Sequence, residues 1–164
     1  MSSKIDQAMD ESFMRMAIEV ARRGITAGQS PFGSCIVDAA GKVIACEHNI
    51  VWQATDPTAH AEVTAIRAAC GAVQSIDLSG CSIYSTTEPC PMCFSSIHWA
   101  RIGRIVYGAS IADAQAAGFS ELTLSNVQLA QMGGARMEIS AGVLGREAAA
   151  LFAEWKKHPK HRAY

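Results

Sequence analysis

From Glu11 to Ala27 the apolar residues Phe13, Met14, Ala17, Ile18, Ala21 and Ile25 recur every three or four positions, the spacing of one face of an α-helix. Asp10 is placed to cap its start and Gly28 to stop it. Two short apolar runs follow, Cys35–Val37 and Val43–Ala45, separated by Asp38-Ala39-Ala40-Gly41-Lys42, and this reads as a β-hairpin. A second helix is predicted over about Thr58–Ala72. The pattern then alternates: a strand at Ser82–Thr86, a helix at Pro91–Ala100 and a strand at Arg104–Tyr107. A helical stretch, Ile111–Met132, is broken at Gly118, and a strand at Ala135–Ser140 and a helix at Leu144–Lys157 complete the chain. Strands that alternate with helices imply right-handed crossovers and a mixed sheet covered on both faces. Ligands of such a sheet sit outside the carboxyl ends of its strands. No repeat, linker or low-complexity segment interrupts the pattern, so residues 1–164 are expected to form one domain.

Composition narrows the class. With 164 residues, 49% hydrophobic and 18% charged, the chain can bury a core without disulfide staples, and a disordered chain is excluded. Fourteen basic against 15 acidic residues leave a net charge of −1, with no broad positive field for gripping a nucleic-acid backbone. The local exception is the C-terminus, where Lys156, Lys157, Lys160 and Arg162 gather with His158 and His161. Met1–Asp10 carries no apolar run and no segment reads as a membrane span, so a cytoplasmic location is expected. In that reducing compartment the six cysteines are expected as thiols or metal ligands.

Two segments carry candidate chemistry, His60-Ala61-Glu62 and Pro89-Cys90-Pro91-Met92-Cys93. One His and two Cys form a donor set suited to zinc, and three protein ligands leave a fourth position for water, as a catalytic rather than a closed structural zinc requires. Zinc brings the pKa of bound water to about 7, which supplies a nucleophile at neutral pH. Cys90 and Cys93 fall at a helix start, where the helix dipole favours thiolate. His60 and Glu62 are two residues apart and would point apart inside a helix. They can share a pocket only if His60 stands at the helix start, which the Asp56-Pro57 turn allows. A lone C-x-x-C would equally suit a redox pair or half of a structural zinc site, and a lone His-x-Glu says little. Together, in this order and beside Pro31, Pro57, Pro89 and Pro91, they match the pattern H-x-E…P-C-x-x-C of zinc deaminases.

On these residues the chain resembles the cytidine-deaminase-like superfamily, and within it the guanine and guanosine deaminases. The likeness runs from Pro31-Phe32-Gly33 to about Glu121, is densest in Asp56–Arg67 and Glu88–Cys93, and loosens after Tyr107. It implies an α/β fold, a three-layer α/β/α sandwich with a five-stranded mixed sheet. It implies one catalytic Zn2+ held by His60, Cys90 and Cys93, with Glu62 carrying protons from water to the ring nitrogen and the leaving amine.

The substrate is less directly written. Guanine presents N1–H and amino donors, and a second carboxylate is a good partner for that edge. The resemblance puts Glu121 in this role; otherwise it is an exposed glutamate at a helix start. Asn49, eleven residues before His60, would hydrogen-bond the purine, or is a turn residue. Phe32 would stack on the base, or is a core aromatic. Trp99 and His98 are core or helix residues that could line the pocket, and Ala61 is placed with the substrate-binding residues. Cys35, Cys46, Cys70 and Cys81 read as small buried hydrophobes. Residues 158–164 form a C-terminal arm that is either frayed or, as the resemblance implies, crosses in a homodimer to cover the partner's site with Tyr164. The leading reading is a deaminase of guanine or guanosine. Adenosine in tRNA, cytosine, a non-catalytic zinc-stabilised subunit and a redox dithiol are the alternatives.

Overall fold

The computed structural model describes residues 4–164; the single-domain reading of 1–164 extends three residues beyond them. Helix α1, Lys4–Thr26, is followed by strands β1, Gly33–Val37, and β2, Val43–His48. A short helix α2, Val51–Ala54, leads to α3, Ala61–Val73, then β3, Ser82–Thr87, α4, Pro91–Trp99, and β4, Arg104–Ala109. Helices α5, Ile111–Ala117, and α6, Asn126–Gly133, precede β5, Glu138–Ser140, and α7, Gly145–Lys156.

The strands form one mixed sheet in the order β2-β1-β3-β4-β5. β1 is antiparallel to β2 and β3, while β3, β4 and β5 run parallel. Alternation along each strand sends successive side chains to opposite faces. Cys35, Tyr84 and Val106 occupy one cross-strand row and pack under α1 and α7 with Met14, Ala17, Leu151 and Phe152. Ile36, Ile83 and Ile105 form the next row and face α3 and α4, meeting Ala65, Ala69, Phe94 and Ile97, with Leu129 and Ala130 of α6 at the margin. This is the expected three-layer sandwich.

Several boundaries differ from the sequence reading. α1 begins before Asp10, so Asp10 caps nothing. Its side chain is buried in the sheet's amino-terminal edge, where both carboxylate oxygens accept from Arg104 at 2.7 Å and one accepts from the Tyr84 hydroxyl at 2.8 Å. The break at Gly118 widens into a loop over 118–125, and β5 pairs over three residues only. Cys35 and Cys46 stand directly opposite each other on β1 and β2 and are joined as a disulfide, against the expectation of thiols; adjacency in an antiparallel ladder brings them together.

Candidate active site

The site lies just past the carboxyl end of β3, where two helices begin. His60 precedes α3 with extended backbone, φ −64° and ψ 159°, so its ring leaves the helix direction while Glu62 sits in the first turn. The turn that allows this is built by Asp56, whose Oδ1 accepts from the Thr58 amide at 2.8 Å and hydroxyl at 2.7 Å. Cys90 occupies the same position before α4, Pro91 opens that helix, and Cys93 follows one turn in. Both helix amino termini, with their partial positive charge, point at the cluster.

His60 Nδ1 stands 3.7 Å from Cys90 Sγ and 3.5 Å from Cys93 Sγ. The three ligand atoms lie within 4.8 Å of one another. Nitrogen and sulfur ligands of a tetrahedral zinc are about 3.5 Å apart, so the donor set and its spacing both fit that ion. Without metal the two thiols share protons unequally. The hydrogen bond from Cys93, with help from His60, brings Cys90 down to about 4. The hydrogen bond to Cys90 and burial push Cys93 well up. Burial pulls His60 down, but Cys90 and the Glu62 charge outweigh it and raise its pKa.

Glu62 lies below the ligands, 6% exposed. Ser85 Oγ donates to its Oε1 at 2.8 Å, and the Cys93 thiol faces its Oε2 at 3.5 Å. Burial pushes the Glu62 carboxyl above its ordinary range, against the His60 charge that lowers it. Above the ligands a cavity of about 190 Å³ is lined by His60, Cys90, Met92, Phe119, Glu121 and Tyr164, among others. Glu121 is half-buried and reaches this cavity from the 118–125 loop. Burial, then the Cys90 charge, pushes it up to about 7. No described residue hydrogen-bonds to its carboxylate.

The C-terminal arm closes the cavity. Arg162 stacks over Trp52 at 3.7 Å, and the Trp52 indole donates to the Arg162 carbonyl at 3.2 Å. The Ser120 amide donates to the Tyr164 carbonyl at 3.1 Å, and the Tyr164 ring packs near His60 and Phe119 at 5.6 and 5.5 Å. The Asn49 amide donates to the Tyr164 hydroxyl at 2.7 Å. Here the arm lies over the site of its own chain, which the eight residues after α7 are long enough to reach.

His60, Glu62, Cys90, Cys93, Glu121, Asn49 and Tyr164 are thus brought together in space. Ala61 is fully buried at the start of α3, beside the ligands but not on the cavity wall. Two expectations are corrected. Trp99 is 80% exposed at the far end of α4, edge-on to the exposed His98, because α4 runs away from the site; neither residue lines the pocket. Phe32 is a core aromatic, edge-on to Phe119 and Phe152 at 4.8 and 5.9 Å; the aromatic cavity wall comes from Phe119 and Tyr164.

Sequence reading missed Ser85, Glu88 and Asn126. Glu88 accepts from the Asn126 amide at 2.9 Å, and the Asn126 side chain donates to the Pro89 carbonyl at 2.6 Å. This tie fixes the loop bearing Glu121 against the loop bearing Cys90. Ser85 carried one legible signal, a hydroxyl on the buried face of a central strand.

Comparison with known proteins agrees with this geometry. The family model for the cytidine and deoxycytidylate deaminase zinc-binding region matches residues 7–109. A guanine deaminase of Bacillus subtilis (strain 168) is 46% identical over 112 residues, 68% of this chain and 71% of that protein. A tRNA-specific adenosine deaminase of Haemophilus influenzae is 33% identical over 151 residues, 89% of this chain and 82% of that protein. The structure of a guanine deaminase from Nitrosomonas europaea superposes with a TM-score of 0.81 at 28% identity, covering 88% of this chain and 83% of that one. The zinc ligands His60, Cys90 and Cys93 and the sheet that presents them are those of a hydrolytic deaminase, and the chain belongs to the cytidine and deoxycytidylate deaminase zinc-binding family.

Proposed function

We propose that the protein deaminates guanine, converting it with water to xanthine and ammonia. The observation that carries this reading is Glu121, a carboxylate without a hydrogen-bond donor among the described residues, on the wall of a small, covered cavity that also presents His60 and Cys90. Guanine offers that carboxylate an N1–H and an amino group; adenine and cytosine offer an acceptor nitrogen beside their amine. Zinc, when bound at His60, Cys90 and Cys93, supplies the electrophilic activation of water. Glu62 takes one proton of the attacking water and delivers it to the ring nitrogen, then takes the remaining proton of the added hydroxyl and passes it to the departing amine. Asn49 orients the purine once Tyr164 yields its amide. Phe119 and Tyr164 confine the ring and exclude bulk water.

The free base is favoured over guanosine because the arm leaves little room beyond the ring. Adenosine in tRNA is the reading that competes most closely, on the strength of the Haemophilus influenzae relative, which is named for that substrate. It would require the basic arm, with Lys160, His161 and Arg162, to leave the site and meet RNA. A cytoplasmic homodimer completes the proposal, in which the arm that covers the site passes between subunits. Glu121→Gln tests the central residue. It keeps the size and loses the charged acceptor, and kcat/KM for guanine should fall about 10- to 100-fold. Unchanged kcat/KM would remove Glu121 from the site.

A further inference from the structure

We propose that Ser85 is a positioning residue that gives the two oxygens of Glu62 different tasks: its hydroxyl anchors Oε1, which leaves Oε2 alone to carry the proton in deamination. The inference rests on the reading of Glu62 as the proton carrier.

A glutamate carboxylate has two equivalent oxygens and a broad terminal torsion. In this site the equivalence is broken. Oε1 accepts from Ser85 Oγ at 2.8 Å, a normal bond between two buried groups, 2% and 6% exposed. Oε2 has the long contact of 3.5 Å with Cys93, on the side of the metal ligands, and no other side chain among the described residues donates to it. A Cys93 that binds zinc as thiolate has no proton to offer, so Oε2 then faces the reacting atoms without a side-chain donor.

The anchor itself is rigid. Ser85 sits in β3, paired to Ser34 of β1 on one side and to Tyr107 of β4 on the other. The sheet face toward α3 and α4 is otherwise apolar at Ile36, Ile83 and Ile105, and polarity enters it at Ser34 and Ser85. The Ser34 hydroxyl is buried without a partner among the described residues, whereas that of Ser85 donates to Glu62. A hydroxyl in a position that packing alone would give to an apolar residue marks a place where local rules yield to the site.

A residue acting through Glu62 should change the chemical step and leave substrate binding and metal content alone. The test compares Ser85→Thr, Ser85→Val and Ser85→Ala in the zinc-loaded protein, with kcat and KM for the amine substrate that the wild type turns over best, zinc stoichiometry and melting temperature. Thr and Val have nearly the same shape and differ in the hydroxyl. Val and Ala should lower kcat about 10- to 100-fold, as loss of an outer partner does elsewhere, with KM within twofold and zinc unchanged. Thr should retain most of the wild-type kcat. Equal losses in Thr and Val would assign the effect to packing and overturn the proposal, as would full kcat in Ala or Val. Glu62→Gln is measured alongside: if it stays active, the reading of Glu62 fails; if it is inactive while Ser85→Val is not, only the role of Ser85 fails.

Discussion

At the scale of single residues the site is a set of unequal protonation environments. Cys90 is drawn toward thiolate and Cys93 away from it, so near neutral pH the pair holds one proton, which a divalent ion would displace. Glu62 is deeply buried next to these ligands, with Oε1 anchored by Ser85 and Oε2 turned to Cys93. Glu62→Gln keeps the Ser85 contact through its amide oxygen and removes the base. Its kcat should drop about 10²- to 10⁴-fold with zinc retained, as read by metal analysis beside turnover; wild-type kcat would refute the assignment. The ligands and Glu62 were legible in the sequence because their chemistry demands fixed types at short spacing. Asn126 was not, since its partners Glu88 and Pro89 lie 38 and 37 residues away. Trp99 misled for a related reason: neighbouring Cys93 in sequence, it is carried by α4 to the opposite end of the helix, into solvent.

At the scale of elements, helix periodicity read well where one face is buried. Met14, Ala17, Ile18, Ala21 and Ile25 of α1 all lie in the core. The start of α1 was missed because Asp10 is claimed by Arg104, 94 residues on, and not by the helix end. The strand at 135–140 contracts to β5 because only Glu138–Ser140 find partners on β4. The arm was foreseen as a cover, but its latch on Trp52 had no sequence signal; stacking of Arg162 on an indole exists only once both chain segments meet. Removing residues 158–164 should leave the fold intact, since the arm lies outside the sheet and its helices. KM for the substrate should rise about tenfold or more as the cavity loses its lid and Tyr164. Steady-state kinetics with a melting curve checks this, and an unchanged KM would reduce the arm to a solvated tail.

At the scale of the whole molecule the two ends of the sheet have different duties. The carboxyl end carries zinc ligands and the cavity; the amino end is closed by Asp10, Arg104 and Tyr84. Burial raises the Asp10 carboxyl, but the Arg104 and Tyr84 hydrogen bonds outweigh it and hold its pKa below the usual 3.8. A depressed carboxylate stabilises the fold above its unfolded pKa and loses that contribution as pH falls through the folded value. Asp10→Asn should cost about 2–3 kcal/mol near pH 7. The gap to wild type should narrow below pH 3.8, as read by denaturant melts across pH; a gap independent of pH would show that the ion pair is not what stabilises this end. A mixed sheet covered on both faces followed from patterning, and a site just after β3 from the motif that follows that strand. The substrate does not follow from patterning, because it depends on which side chains the loops and the arm bring over the ligands. The most direct measurement is therefore ammonia release by the zinc-loaded protein from guanine, guanosine, adenine, cytosine, cytidine and a tRNA. The account predicts release from guanine above all others; release from tRNA alone, with guanine untouched, would contradict it.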